Sequence, residues 1–133
     1  MNLLNLATIA GAASGVSGLL KLNGAPRNLT AQGKFLYGSG GATVDAWLQT
    51  TLDGGLTWID IANWHFTTAV GTTIYNLAVT TALSITPTDG ALAANTVVDG
   101  VLGPQFRVKW ATTGTYAGAT SLAIDVSTDQ LGN

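Results

Sequence analysis

The chain has no cysteine and no glutamate, and only 9% of its 133 residues are charged. Without thiols there is neither a disulfide framework nor a thiolate zinc site. Without Glu, and with few Lys, two strong helix formers are nearly missing, which favours strands and turns. The acids are seven aspartates against five basic residues, for a net charge of −2. Lys21, Arg27, Lys34, Arg107 and Lys109 are too few and too dispersed to neutralise a run of phosphates, so no nucleic-acid partner is expected. The single histidine, His65, among scattered aspartates does not make a metal site, and no EF-hand spacing occurs. No serine stands in a G-x-S-x-G elbow. The "GSGG" of residues 38–41 lacks the third glycine of a dinucleotide loop and the GKS/GKT of a phosphate loop. No cofactor, metal or catalytic set is expected.

What is present is apolar and rich in Thr, Val, Ala and Gly. Hydrophobic residues make up 47% of the chain. A free monomer ordinarily carries more surface charge to resist association, so this composition points to assembly with other chains. Residues 1–24 carry a charge-free run, Leu3 to Leu20. It has no basic n-region and is diluted by Asn5, Thr8, Ser14, Ser17 and glycines, so it fits neither a secretory signal nor a membrane span. It reads as an apolar, Gly-rich arm or edge strand, tied down at its end, ahead of a single domain over residues 25–133.

Short alternating segments follow, separated by turn signals. They are "NLTAQGKFLY", "ATVDAWLQT", "LTWIDIA", "WHFTTAV", "TTIYNLAV", "QFRVKWATTG" and "ATSLAIDVST". Residues 91–103 show no clear pattern. About seven or eight short antiparallel strands and no convincing helix predict an all-β chain, a β-sandwich or jelly roll. The last two segments read as a hairpin joined by "TTGTYAG", with Arg107 and Lys109 facing Asp125.

The stretch "TTLDGGLTW", residues 50–58, fits the spacing [ST]-x-D-x-G-x-T-W of an Asp-box, a pattern known from sialidases and other β-propellers. It occurs once, so a propeller of motif-bearing blades is excluded at this length. Asp-Gly is a strong hairpin signal. A two-residue turn at Asp53 and Gly54 would set Leu48 opposite Ile59 and Ala46 opposite Ile61. Val44, Ala46, Leu48, Ile59 and Ile61 would then share an apolar face, with Asp45, Trp47, Gln49, Trp58 and Asp60 on the other. Thr51, Asp53, Gly54, Gly55, Thr57 and Trp58 are therefore assigned to stabilising the turn, not to catalysis. Trp47 and Trp58, with Asp45 and Asp60 beside them, leave three uses open: packing under a second sheet, a protein interface, or a platform that stacks a glycan. Asp45 and Asp60 are also the one carboxylate pair that a glycosidase could use. His65, between two aromatics in "NWHFT", reads as a packed structural histidine.

Two segments, "TTLDGGLTWIDIANWHFTTA" and "LGPQFRVKWATTGTYAGATSLAIDV", resemble small virion proteins of tailed bacteriophages. In those proteins a "SLDGG-TW-DIA-F-F" hairpin is followed by "R-V-K-TTGTYAG-T-L-V-D". The resemblance spans roughly residues 43–128 and omits the N-terminal arm. It implies a non-enzymatic structural protein, of the capsid decoration or cement type, with a head or tail accessory protein as the nearest variant. It also implies partners in the major capsid protein and in copies of the chain itself, and a place on the capsid surface of a virion assembled in the host cytoplasm. The alternative is a carbohydrate-binding or host-adhesion module using Trp47 and Trp58, with Trp64 as a third candidate. Neither reading calls for a membrane.

Overall fold

The computed structural model describes residues 2–8 and 14–129. Among them there is no helix. The chain folds as an all-β sandwich of antiparallel sheets. The first sheet holds β1 (Asn2–Thr8), β11 (Ser121–Thr128), β4 (Asn28–Leu36) and β8 (Gly71–Ala78), in that order. The second runs β2 (Ser14–Val16), β9 (Gln105–Thr113), β6 (Thr43–Thr51), β7 (Ile59–Phe66), with β3 (Leu20–Lys21) also on β9. A short ribbon of β5 (Ser39–Gly40) and β10 (Tyr116–Ala117) bridges one end.

Alternation places the core. Leu29, Ala31 and Phe35 of β4 and Leu122, Ile124 and Val126 of β11 face inward. They meet Val44, Ala46 and Leu48 of β6 and Phe106 and Val108 of β9. Every second residue of a strand points to one face, so these runs can fill one interior while Thr30, Gln32 and Lys34 stay outside. The largest buried side chain, Trp64, lies over Gly33, where an added Cβ would come within 2.6 Å of its Cδ1. Its indole N–H donates to the Thr73 carbonyl at 2.9 Å, so the polar edge of the ring is satisfied. Phe35 stacks on Phe66 with centroids 5.1 Å apart, and Tyr116 meets Phe35 edge-on.

Two sequence-based expectations change, and two segments left open take definite form. First, the β6–β7 hairpin is not a two-residue turn. Leu48 stands opposite Ala62 and Ala46 opposite Trp64, and residues 52–58 form the connection. Between Leu48 and Gln49 the register shifts, because Ile61 is an extra residue bulged into β7. The bulge lets both Ile61 and its neighbour Ala62 be buried, and it leaves Asp60, Asn63 and His65 on the outer face. The five apolar residues assigned inward are indeed in the core, but through a different register.

Second, β9 and β11 do not pair. β9 lies beside β6 and β11 beside β4, so "TTGTYAG" crosses from one sheet to the other. Tyr116 anchors that crossing by donating to the Thr67 carbonyl at 2.7 Å. Of the two forms open to the N-terminal run, arm or edge strand, its described residues take the second. β1 forms an edge of the first sheet, and β2 and β3 line the edge of the second. Gly15 fits there because the Trp110 ring occupies the place of a side chain, 2.5 Å from where its Cβ would be.

The patternless residues lie within a long connection, 79–104, that covers the open edge of β7. Asp60 N–H donates to the Thr88 carbonyl, Asn63 N–H to Thr96 and Val98 N–H to Ile61. Ala62 and Val97 form an isolated bridge. An exposed strand edge is a template for unwanted pairing, and here the chain covers it with itself.

Candidate functional site

The outer face of β6, β7 and β9 gathers the polar residues singled out in the sequence. Asp60 is their centre. It is 1% exposed. Its carboxylate accepts from Gln49 Nε2 at 2.8 Å, Thr88 Oγ1 at 2.9 Å, and the amides of Gly90, Ala91 and Leu92 at 2.9, 2.9 and 3.1 Å. A buried carboxylate persists only when its lone pairs are filled, and these five donors fill them. The effect is to bind residues 88–92 onto the sheet.

Gln49 extends the network. Its Nε2 also donates to Asp89 Oδ1 at 2.7 Å, and its Oε1 accepts from Arg107 Nε at 2.7 Å. Asp89 in turn sits 3.2 Å from Lys109 Nζ and 3.5 Å from an Arg107 guanidinium nitrogen. The Gln49 amide, helped by Lys109 and Arg107 against partial burial, holds the Asp89 carboxyl below its usual range. The two basic residues expected opposite Asp125 thus serve Asp89 instead. Arg107 also lies over the Trp58 ring, 4.2 Å from its centroid.

Trp47, half-buried, donates its indole N–H to the Leu92 carbonyl at 3.0 Å. At the other end of the face, Asp45 accepts from Asn63 Nδ2 at 3.3 Å and lies 2.9 Å from His65 Nδ1. Asn63 Oδ1 accepts the Asn95 amide, and Asn95 Oδ1 accepts the His65 amide. Asp45 stands opposite His65, five residues along β7 from Asp60. At about 3.3 Å per residue the two carboxylates are roughly 15 Å apart, beyond the ~9.5 Å limit of an inverting glycosidase. The structure places both on one face but does not bring them together.

The Asp-box residues form a compact turn. Thr51 Oγ1 donates to Asp53 Oδ1 at 2.9 Å and accepts the Gly55 amide at 3.0 Å. Asp53 Oδ1 accepts the Thr57 amide at 2.8 Å. That amide, then the Thr57 hydroxyl, holds the Asp53 carboxyl below its usual range. Gly54 and Gly55 have φ of 73° and 100°, conformations that favour glycine. The Trp58 indole lies beside Gly55, 3.6 Å from where a Cβ would be. The polar side chains close a wider loop than Asp-Gly alone would, which is why the two-residue register fails. The turn presents Leu52 and Leu56 to solvent, 64% and 89% exposed.

Sequence reasoning missed Gln49, Thr88, Asp89, Asn63 and Asn95 as parts of this network. The available signal was the patternless segment itself, whose backbone N–H groups had to find acceptors somewhere. Among the described residues no three His, Cys, Asp or Glu groups cluster as a metal site, and no buried side-chain polar atom lacks a partner. The chain matches no protein-family model, no curated protein and no solved structure.

Proposed function

We propose that the chain is a structural protein of a tailed-phage particle, of the capsid decoration type, that seats on the major capsid shell and ties neighbouring subunits together. The observation that carries its structural, non-enzymatic character is the saturated Asp60. The most buried acid of the chain is filled by its own protein, and it fastens a long connection instead of facing a substrate. The phage assignment rests on the resemblance of the two sequence segments. They contribute β7, β9, β10 and most of β11.

The low charge and the exposed Leu52, Leu56, Val70 and Ile74 support a surface meant to be covered. Apolar area removed from water contributes about 25 cal/mol per Å², and many copies on one shell add multivalency. The carbohydrate-binding alternative needs a bare aromatic face. Trp58 has Arg107 over its ring, and Trp47 has its N–H committed to Leu92, so no feature of this face favours a sugar.

The test is to image particles assembled with and without the chain. Decoration predicts regular copies on the shell, and earlier DNA release on heating when the chain is missing. Particles that contain no copy of the chain would overturn the reading.

A further inference from the structure

We infer that two copies of this chain pair through β8, antiparallel about a two-fold axis at Ile74, so that the first sheet continues across the dimer. The inference stands on strand geometry and does not depend on the virion reading.

Among the described residues β8 is an edge strand, and its one strand partner there is β4. Val79 N–H donates to the Arg27 carbonyl in the same register, so the odd-numbered residues direct their backbone groups at β4. The even-numbered residues therefore point theirs away. The Ala78 carbonyl accepts the Gly100 amide at 3.2 Å, as that direction requires. Thr72, Ile74 and Asn76 are left with N–H and C=O groups aimed outward and, among the described residues, no partner for them.

The other edges are guarded. The 79–104 connection covers β7, and β2 and β3 line β9. β1 breaks its register with β11 at two places, which spoils a flat template. On β8 the 79–104 connection reaches only the end, where Gly100 meets Ala78, and leaves Thr72 to Asn76 uncovered. The eight residues of β8 pair with β4 without a register shift, and from Val70 to Val79 there is no charge and no proline. Such a strand is an open template for pairing.

The choice of a second copy comes from the pattern. Centring the axis on Ile74 sets Ile74 against Ile74 and Thr72 against Asn76, and the ladder stops short of Ala78, whose carbonyl is held by Gly100. Apolar meets apolar, hydrogen-bonding side chain meets hydrogen-bonding side chain, and no like charges face each other. Val70, Ile74 and Val79 are 65%, 59% and 46% exposed in the single chain. A groove lined by His65, Thr67, Thr73, Tyr75 and Asn95 runs beside this edge and can receive the partner's inward side chains.

Sedimentation of the full chain over a concentration series tests this. The wild-type chain should sediment as a dimer. Ile74→Lys sets two ammonium groups against each other, so it should raise the dissociation constant more than about tenfold while the circular dichroism is unchanged. Facing residues of a hydrogen-bonded pair lie about 5.5 Å apart at Cα, within disulfide reach. The chain has no cysteine of its own. Oxidised Ile74→Cys should therefore give a covalent dimer, and Leu56→Cys, on the distant turn, should not. A monomeric wild type, a dimer unaffected by Ile74→Lys, or equal cross-linking of the two cysteine variants would each overturn the inference. Should Ile74→Lys fail to fold, the cross-linking comparison decides alone.

Discussion

Asp60 accepts the backbone amide of Leu92 at 3.1 Å across 32 residues of chain. A residue at the start of β7 thus fixes a segment that has no regular secondary structure of its own. Asp60→Ala would leave five donors without their acceptor; the bond from Gln49 is buried and the other four are part-buried. Loss of hydrogen bonds to a charged group costs about 1.5–3 kcal/mol each before relaxation and water entry. We expect a net destabilisation of roughly 3 kcal/mol by urea unfolding, with new protease cleavage between residues 79 and 104. Asp60→Asn keeps one acceptor oxygen and should fall between wild type and Asp60→Ala. Unchanged protease resistance in Asp60→Ala would contradict the clamp.

Gly33 makes room for Trp64. A Cβ there would lie 2.6 Å from Cδ1 and 2.7 Å from Nε1 of the indole. Gly33→Ala should cost about 1–3 kcal/mol through overpacking and should perturb the near-ultraviolet circular dichroism of the tryptophans. Pairing it with Trp64→Phe should give less than the sum of the two single losses, because the clash goes with the larger ring. Strict additivity would show that the two sites do not meet.

Acid should act through Asp53 and Asp89. Both carboxyls are held below their usual value of 3.8, Asp53 by the Thr57 amide and Asp89 by the Gln49 amide. A depressed folded-state value means that the unfolded chain binds the proton more readily. The stabilisation is therefore complete above the unfolded value and fades as pH falls through the folded one. The urea midpoint should be flat from neutrality to about pH 5 and decline below about pH 4. Asp89→Asn should lower the neutral-pH midpoint and flatten the acid decline. An acid decline as steep as wild type would remove Asp89 from the account.

Removal of residues 1–21 should not leave an intact sandwich. It would strip β1 from β11, and β2 and β3 from β9, opening an edge in each sheet. The truncated chain is expected to lose several kcal/mol of stability and to aggregate on concentration. Light scattering against the full chain measures this.

The inward residues were legible because strand alternation is local. Val44-Ala46-Leu48 and Leu122-Ile124-Val126 identify themselves without any partner. The partners were not legible. β9 and β11 look like a hairpin, yet they belong to different sheets, and nothing within "TTGTYAG" announces the crossing. The bulge at Ile61 was hidden for another reason. It is set by competition among Ile61, Ala62 and Asp60 for the two faces, and that depends on what covers Asp60. The Asp-box turn was half legible: its Thr51, Asp53 and glycine chemistry is written in the motif, but the loop length it closes is not.

Among the described strands, β6 and β7 are the one consecutive pair that hydrogen-bond to each other. Nearly every other connection passes from one sheet to the other. Such a chain has little to gain from its neighbours in sequence and must close long loops before its sheets can form. Its folding should fall in the slow class of non-local β topologies, about milliseconds to seconds. The Thr51–Trp58 turn brings together the one pair of strands that can meet early. Its side-chain bonds therefore bear on how fast the native chain is reached as well as on how firmly it holds.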